Sequence, residues 1–436
     1  MALLLDNRPN ANLPAGLQDI EPPAPAILRE LSARLALAFA ENGYQEFVPP
    51  LLERYDTYPQ EECREILSKA LKLVGPSGEV LAVRHDLTAS VLSQLRRMAG
   101  PAAPARISYI SSVIRTLPAP AARLTEYLQA GVECCVEGAA ADREVFILSL
   151  DAMAAVGLAG VTVHVGHVGV LDRLLRAAGV SETAISKAHE ALINQSLPSF
   201  FTALAEGGAD PSAIAFLRRW VAPAAAGEEG LSAFVSAATG AGFAGSRLPK
   251  GLATFLGDVT TLFKEATATN PTVRVVWNPL LVGSQPYYNG LVFQAFVPDL
   301  PSAVALGGRY DSLVRAFGVG QGGVGFTIQL SEVIKLMGKI HATSAAARGS
   351  GPVVVAALDG YQRQAVVLAG VLRSEGRSVT KVVPVKDVAE AEREARRAGA
   401  ALLIVVDRRG YVELPQPARK QSQPGGGVVG VVAGIH

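Results

Sequence analysis

The sequence predicts an α+β fold for most of the chain and a small parallel α/β domain after it. Three observations carry that expectation. The stretch Arg106–Glu137 reads as two strands, and a second strand-rich block runs from Val273 to Met337. An Ala-rich helical tract from about 169 to 269 separates them. After a small-residue linker comes a β-α-β-α-β series. At 436 residues the chain exceeds one ordinary core. Hydrophobic residues make up 49% and charged residues 18%, so the composition is that of an ordered, globular protein. Lys+Arg 40 against Asp+Glu 39 leaves a formal net charge of +1, which argues against nucleic acid as a partner. No apolar run is long enough to span a bilayer, and MALLLDNRPN lacks the basic and apolar regions of a signal peptide. Cys63, Cys134 and Cys135 show no C-x-x-C spacing, and the cytoplasm is the expected compartment.

Taken in order, residues 11–20 form a Pro/Gly-punctuated lead-in. An amphipathic helix is expected from Pro25 to Asn42, with Ile27, Leu28, Leu31, Leu35 and Phe39 at helical spacing and Gly43 just past its end. Tyr44 to Leu52 reads as a short edge strand because two prolines close it. In VRHDLTASVLSQLRRM, Asp86 and Thr88 open a helical pattern; Asp and Thr are favoured there as caps, and such a helix start also favours an anionic group. Helix is expected again over Asp142–Val156, then a strand running into a helix at VTVHVGHVGVLDRLL. His164 and His167 fall on opposite sides of that strand, and with no third ligand evident no metal site is expected. Gly318–Gly323 matches G-x-G-x-x-G in form but follows a helix rather than a strand, so no dinucleotide fold and no cofactor is expected. Gly307, Gly308 and Arg309 suggest a tight turn beside a strand end.

The hairpin organises the rest. In its second arm Arg123, Thr125, Tyr127, Gln129, Gly131 and Glu133 share one face, while Leu124, Leu128, Ala130, Val132 and Cys134 share the other, with Glu126 the misfit. The second set would pack on a core. The first places an amide and a carboxylate two positions either side of a glycine, where a small ligand can approach the backbone. Gln129 can donate and accept, and Glu133 can hold a cationic amine or imidazole; the competing reading is a solvated sheet face.

Four separated segments resemble one family. LPAGLQDI with GYQEFVPPLLE resembles the opening of the histidyl-tRNA synthetase-like class II core, and RHDLT resembles that family's amino-acid loop. Arg115–Glu133 resembles class II motif 2, and GGRYDSL with GVGFTIQL resembles motif 3. The resemblance covers residues 11–337. It implies an antiparallel sheet of six or seven strands with flanking helices, dimerised through its first motif. The expected domains are a core over 1–338 with a helical insertion at 169–269, a linker at 339–351, and a C-terminal α/β domain over 352–436 similar to an anticodon-binding domain.

The departures from the family point to its function. Aligned on Tyr287 and Tyr288, the chain has Gly283 where the synthetases carry an arginine and Pro286 where they carry an aspartate; Glu332 stands where motif 3 supplies another arginine. The motif 2 loop, TLPAPAA, has lost its polar and basic residues. Removing one preorganised donor typically costs about a hundred- to a thousandfold in rate, so adenylation is expected to be absent. Asp86, Thr88, Gln129, Glu133, Tyr287 and Tyr288 keep the amino-acid side of the pocket, with Arg115 beside them. This combination resembles the ATP phosphoribosyltransferase regulatory subunits, a synthetase-like family without catalysis of its own. The resemblance implies a dimer that assembles with the short-form catalytic subunit into a hetero-octamer inhibited by histidine. Glu133 and Gln129 would meet the ligand's nitrogens, Asp86 and Thr88 its α-amino group, Tyr287 and Tyr288 its ring and Arg115 its carboxylate. An active histidyl-tRNA synthetase and a stand-alone histidine or RNA sensor are the alternatives.

Overall fold

The computed structural model describes residues 13–98, 105–117, 123–220, 227–239, 251–338, 352–374, 377–408 and 410–416. The chain divides into two compact units, Met1–Gly338 and Lys339–His436. The expected linker and the motif 2 loop at 118–122 lie outside the described residues, as does the chain beyond 416.

The first unit is built on one eight-stranded sheet. Its strands are β1 (Gln45–Glu46), β5 (Arg106–Leu117), β6 (Arg123–Cys134), β7 (Thr162–His167), β8 (Arg274–Trp277), β9 (Leu291–Phe296), β10 (Ala305–Arg309) and β11 (Val324–Gln329). Their order is β1-β5-β6-β11-β10-β9-β7-β8. From β5 to β7 every pairing is antiparallel, as expected, and a short parallel strand is added at each edge: β1 on β5 and β8 on β7. The proline-closed edge segment is shorter than expected, because the chain leaves the sheet after Glu46. It then builds a separate three-stranded sheet from β2 (Leu52–Arg54), β3 (Lys72–Val74) and β4 (Val80–Val83).

Each face of the large sheet has its own core. On one side lie α1 (Ala24–Glu41) and α4 (Ala139–Ala155), whose buried Leu31, Leu35, Phe39, Val145 and Phe146 meet Ala130, Val132 and Cys134 of β6. The predicted core face of that strand is therefore the one that packs. The helices α5–α10, from Val168 to Thr269, join the same core. On the other side α2 (Arg64–Ser68), α3 (Leu87–Arg97) and α11 (Asp311–Phe317) cover β5, burying Leu67, Leu92, Ile107, Tyr109 and Phe317. Residues 330–338 form the helix that follows β11.

Gly307 and Gly308 do not form a turn. They lie inside β10, between β9 and β11. A Cβ on Gly307 would sit 2.3 Å from Phe293 Cζ, and one on Gly308 2.8 Å from Tyr288 Cδ1, so the glycines make room for rings on the two faces. The second unit holds a four-stranded sheet, β12 (Val353–Ala357), β13 (Val379–Pro384), β14 (Leu402–Asp407) and β15 (Gly410–Pro415), in the order β13-β12-β14-β15. The first three are parallel, as the alternating pattern predicts; β15 is antiparallel and closes a hairpin on β14.

Candidate functional site

The site sits where β5, β6, β10 and β11 meet the start of α3. Register brings its groups together: Tyr109 lies opposite Gly131 and Ser111 opposite Gln129, while across β6 Gln329 pairs with Gln129 and Gly325 with Glu133. Odd-numbered residues of β5 and β6 therefore share the face that looks away from the α1–α4 core. Asp86 caps α3 as expected, its carboxylate accepting from Ala89 N at 2.9 Å. The chain before α3 thus carries Asp86 and Thr88 to the hairpin.

Asp86, Thr88, Arg115, Gln129, Tyr287 and Tyr288 all line one cleft, together with Tyr109, Gln285, Tyr310 and Gln329. Glu133 forms its floor rather than its wall. One oxygen accepts from Thr88 Oγ1 at 2.6 Å and Tyr109 OH at 3.2 Å; the other is held by the Tyr310 hydroxyl. Gly131 and Gly325 permit this arrangement. A Cβ on Gly325 would lie 2.0 Å from Glu133 Oε2, and one on Gly131 2.1 Å from the Phe326 carbonyl oxygen. The solvated-face reading of this strand is excluded, since Gln129 is 3% and Glu133 1% exposed.

Burial dominates the electrostatics. It lifts the Glu133 carboxyl to about 8 despite hydrogen bonds from Thr88, Tyr310 and Tyr109 that favour the charged form. Desolvation likewise raises the Tyr287 and Tyr288 phenols, so both stay neutral. Arg115 donates from Nε to the His85 carbonyl at 2.9 Å and stands 4.0 Å from Asp86. Gln129 Nε2 donates to Gln329 Oε1 at 3.2 Å, and the Tyr287 hydroxyl approaches Asp86 at 3.5 Å. The two tyrosine rings meet edge to face with centroids 5.1 Å apart.

Three contributors were not singled out in the sequence: Tyr109, Tyr310 and Gln329. Tyr109 was within reach, because hairpin register alone sets it opposite Gly131. Tyr310 and Gln329 depend on how β10 and β11 join β6, which no local pattern records.

The two departures are also placed. Gly283 has φ +82, and a Cβ there would come within 2.5 Å of Tyr288 Cδ2, so no longer side chain fits this backbone without displacing the ring. Glu332 lies in the helix of residues 330–338 and pairs with Lys335 at 2.6 Å. Among the described residues, Arg115 is the one guanidinium lining the cleft.

A family model described as histidyl-tRNA synthetase matches residues 16–333. The chain is 30% identical over 370 residues to the ATP phosphoribosyltransferase regulatory subunit of Symbiobacterium thermophilum, covering 84% of this chain and 90% of that protein. Among solved structures it resembles one described as an ATP phosphoribosyltransferase regulatory subunit/histidyl-tRNA synthetase from Bacillus halodurans. The TM-score is 0.68 at 22% identity, over 90% of this chain and 97% of that one. It also resembles a chain of the ATP phosphoribosyl transferase (HisG:HisZ) complex from Thermotoga maritima, with a TM-score of 0.52 at 19% identity, over 71% of this chain and 97% of that one. At these identities the structural likeness speaks to the fold.

Proposed function

Because the chain belongs to the ATP phosphoribosyltransferase regulatory subunits, a family on the histidyl-tRNA synthetase-like fold, we propose that it is a histidine sensor without catalysis of its own. Its partner would be the short-form catalytic subunit of that transferase. The observation that carries the reading is the charge of the cleft. Asp86 and Glu133 stand against a single lining guanidinium among the described residues, Arg115, while Gly283 offers no side chain and Glu332 is tied to Lys335. That set suits an amino acid and is poor at holding a triphosphate, which needs several cations.

In this reading Asp86 and Thr88 take the α-amino group, Arg115 faces the carboxylate, and Tyr287 and Tyr288 wall the ring. Gln129 meets a ring nitrogen. Glu133 reaches the ligand only by giving up one of its hydroxyl partners, so occupancy rearranges Thr88, Tyr109 or Tyr310. Histidine then inhibits by favouring one arrangement of the assembly over another. A homodimer within a hetero-octamer is supported by exposed apolar side chains on and around the small sheet: Val48, Leu51, Leu52, Leu73, Val74 and Val80 are each at least 42% exposed. We place the chain in the cytoplasm; among the described residues no helix is long and apolar enough to cross a membrane.

Mixing tests the reading. The chain should activate a short-form ATP phosphoribosyltransferase, and histidine should inhibit the pair. Histidine-dependent ATP–pyrophosphate exchange by the chain alone should stay at background; turnover there would instead favour a synthetase, the reading to which the retained α/β unit at 352–416 lends itself.

A further inference from the structure

On the opposite face of the sheet from the cleft lies a cavity of about 280 Å³, walled by α10 (Leu252–Thr269), the first turn of α4 and the ends of β7, β9 and β10. Arg309 belongs to it and the next residue, Tyr310, to the cleft, so the two spaces are back to back across β10. Phe255, Val259, Leu262 and Leu291 give the cavity an apolar side.

Its polar side carries an excess of negative charge. Arg309 is fully engaged: Nε donates to Asp142 at 2.7 Å, one terminal nitrogen to Asp311 at 2.8 Å and the other to the Gly138 carbonyl at 2.9 Å. Arg143 is taken by Glu265 at 3.2 Å. Asp258 lines the same space and has no ion-pair or hydrogen-bond partner among the described residues. The surplus lifts the Asp142 carboxyl to about 6: burial comes first, Arg309 opposes it, and Asp311 and Asp258 add to it.

His167 is an independent sign of a ligand. It is 8% exposed and lines the cavity, yet its buried Nδ1 has no hydrogen-bond partner and no described group bonds the ring. Burial holds this imidazole neutral, pushing it down to about 4, so it can accept a hydrogen bond. Among the described residues no three His, Cys, Asp or Glu groups are disposed to hold a metal ion. An organic cation is what remains.

We propose that this cavity is a second binding site, for a small primary ammonium on a short aliphatic stem. The ammonium donates to Asp258, Asp142 and the His167 imidazole, and the stem lies against Phe255, Val259 and Leu262. The site is separate from the histidine cleft and does not depend on its reading.

Titration calorimetry of the whole chain with n-butylammonium and 1,4-diaminobutane, against n-butyrate at matched ionic strength, tests it. Saturable binding of the amines and none of the acid is expected. Asp258→Asn, on the partly exposed face of α10, should keep the unfolding temperature of the free chain and weaken the amines about tenfold or more, the size of a lost charge-assisted bond. Phe255→Ala should weaken diaminobutane less than n-butylammonium, whose stem is wholly apolar. The absence of saturable amine binding at millimolar concentration would overturn the proposal, as would butyrate binding equally well. So would an Asp258→Asn chain that folds and binds the amines as before.

Discussion

Glu133 holds the cleft together through a carboxyl that three hydroxyls contact and burial keeps largely protonated near neutrality. Its value in the folded chain, about 8, lies above the ordinary 4.5. The associated stability is therefore full below about 4.5 and is lost as pH rises through about 8. A cationic ligand group reverses the preference and draws out the charged form, so binding expels a proton whenever the free carboxyl still holds one. Histidine affinity should accordingly climb as pH rises from 6.5 toward 8 (roughly the interval between a free imidazole and this carboxyl). Calorimetry in buffers of different ionisation enthalpy should register the released proton. Glu133→Gln should abolish that release and weaken histidine inhibition of the assembled enzyme, while size-exclusion chromatography still shows assembly. Unchanged inhibition would remove Glu133 from the effector's contacts.

At the scale of elements, the antiparallel centre of the sheet succeeds because glycines stand where strands and rings crowd. Gly131 shows it best: a methyl there meets the Phe326 carbonyl oxygen at 2.1 Å and Tyr109 OH at 2.7 Å. Gly131→Ala should cost about 1–3 kcal/mol, the usual range for forcing extra volume into a packed site. Thermal unfolding should show a lowered midpoint, and a shift of less than a degree would mean that β6 and β11 yield more easily than drawn. Much of this was legible beforehand. Alternation along 123–134 gave both faces of β6 correctly, the cap at Asp86 gave the start of α3, and helical spacing gave α1. The double glycine of β10 was read as a turn because glycine's backbone freedom and glycine's small size leave the same mark on a sequence. Only the neighbours, Phe293 and Tyr288, tell the two uses apart.

Across the whole molecule, the exposed aliphatic residues of the small sheet are the feature that a lone chain leaves unexplained. Val74 is 80% and Val48 70% exposed. Val74→Asp should convert a dimer to a monomer in sedimentation experiments, with the circular dichroism of the fold retained; a dimer that persists would move the interface elsewhere. Sequence could supply these residues but not their exposure, since an apolar strand with a covered face and one awaiting a partner read alike. The same limit hid the rear cavity, whose walls come from residues 138 to 311.

The helical tract between β7 and β8 is the connection between two parallel neighbours, which enter and leave it pointing the same way. Antiparallel strands can be trimmed to a two-residue turn, but parallel ones need a return path of about a dozen residues. Lineages are thus free to remodel this tract, exchange it or shrink it severely, yet none can delete it outright without unseating the edge of the sheet.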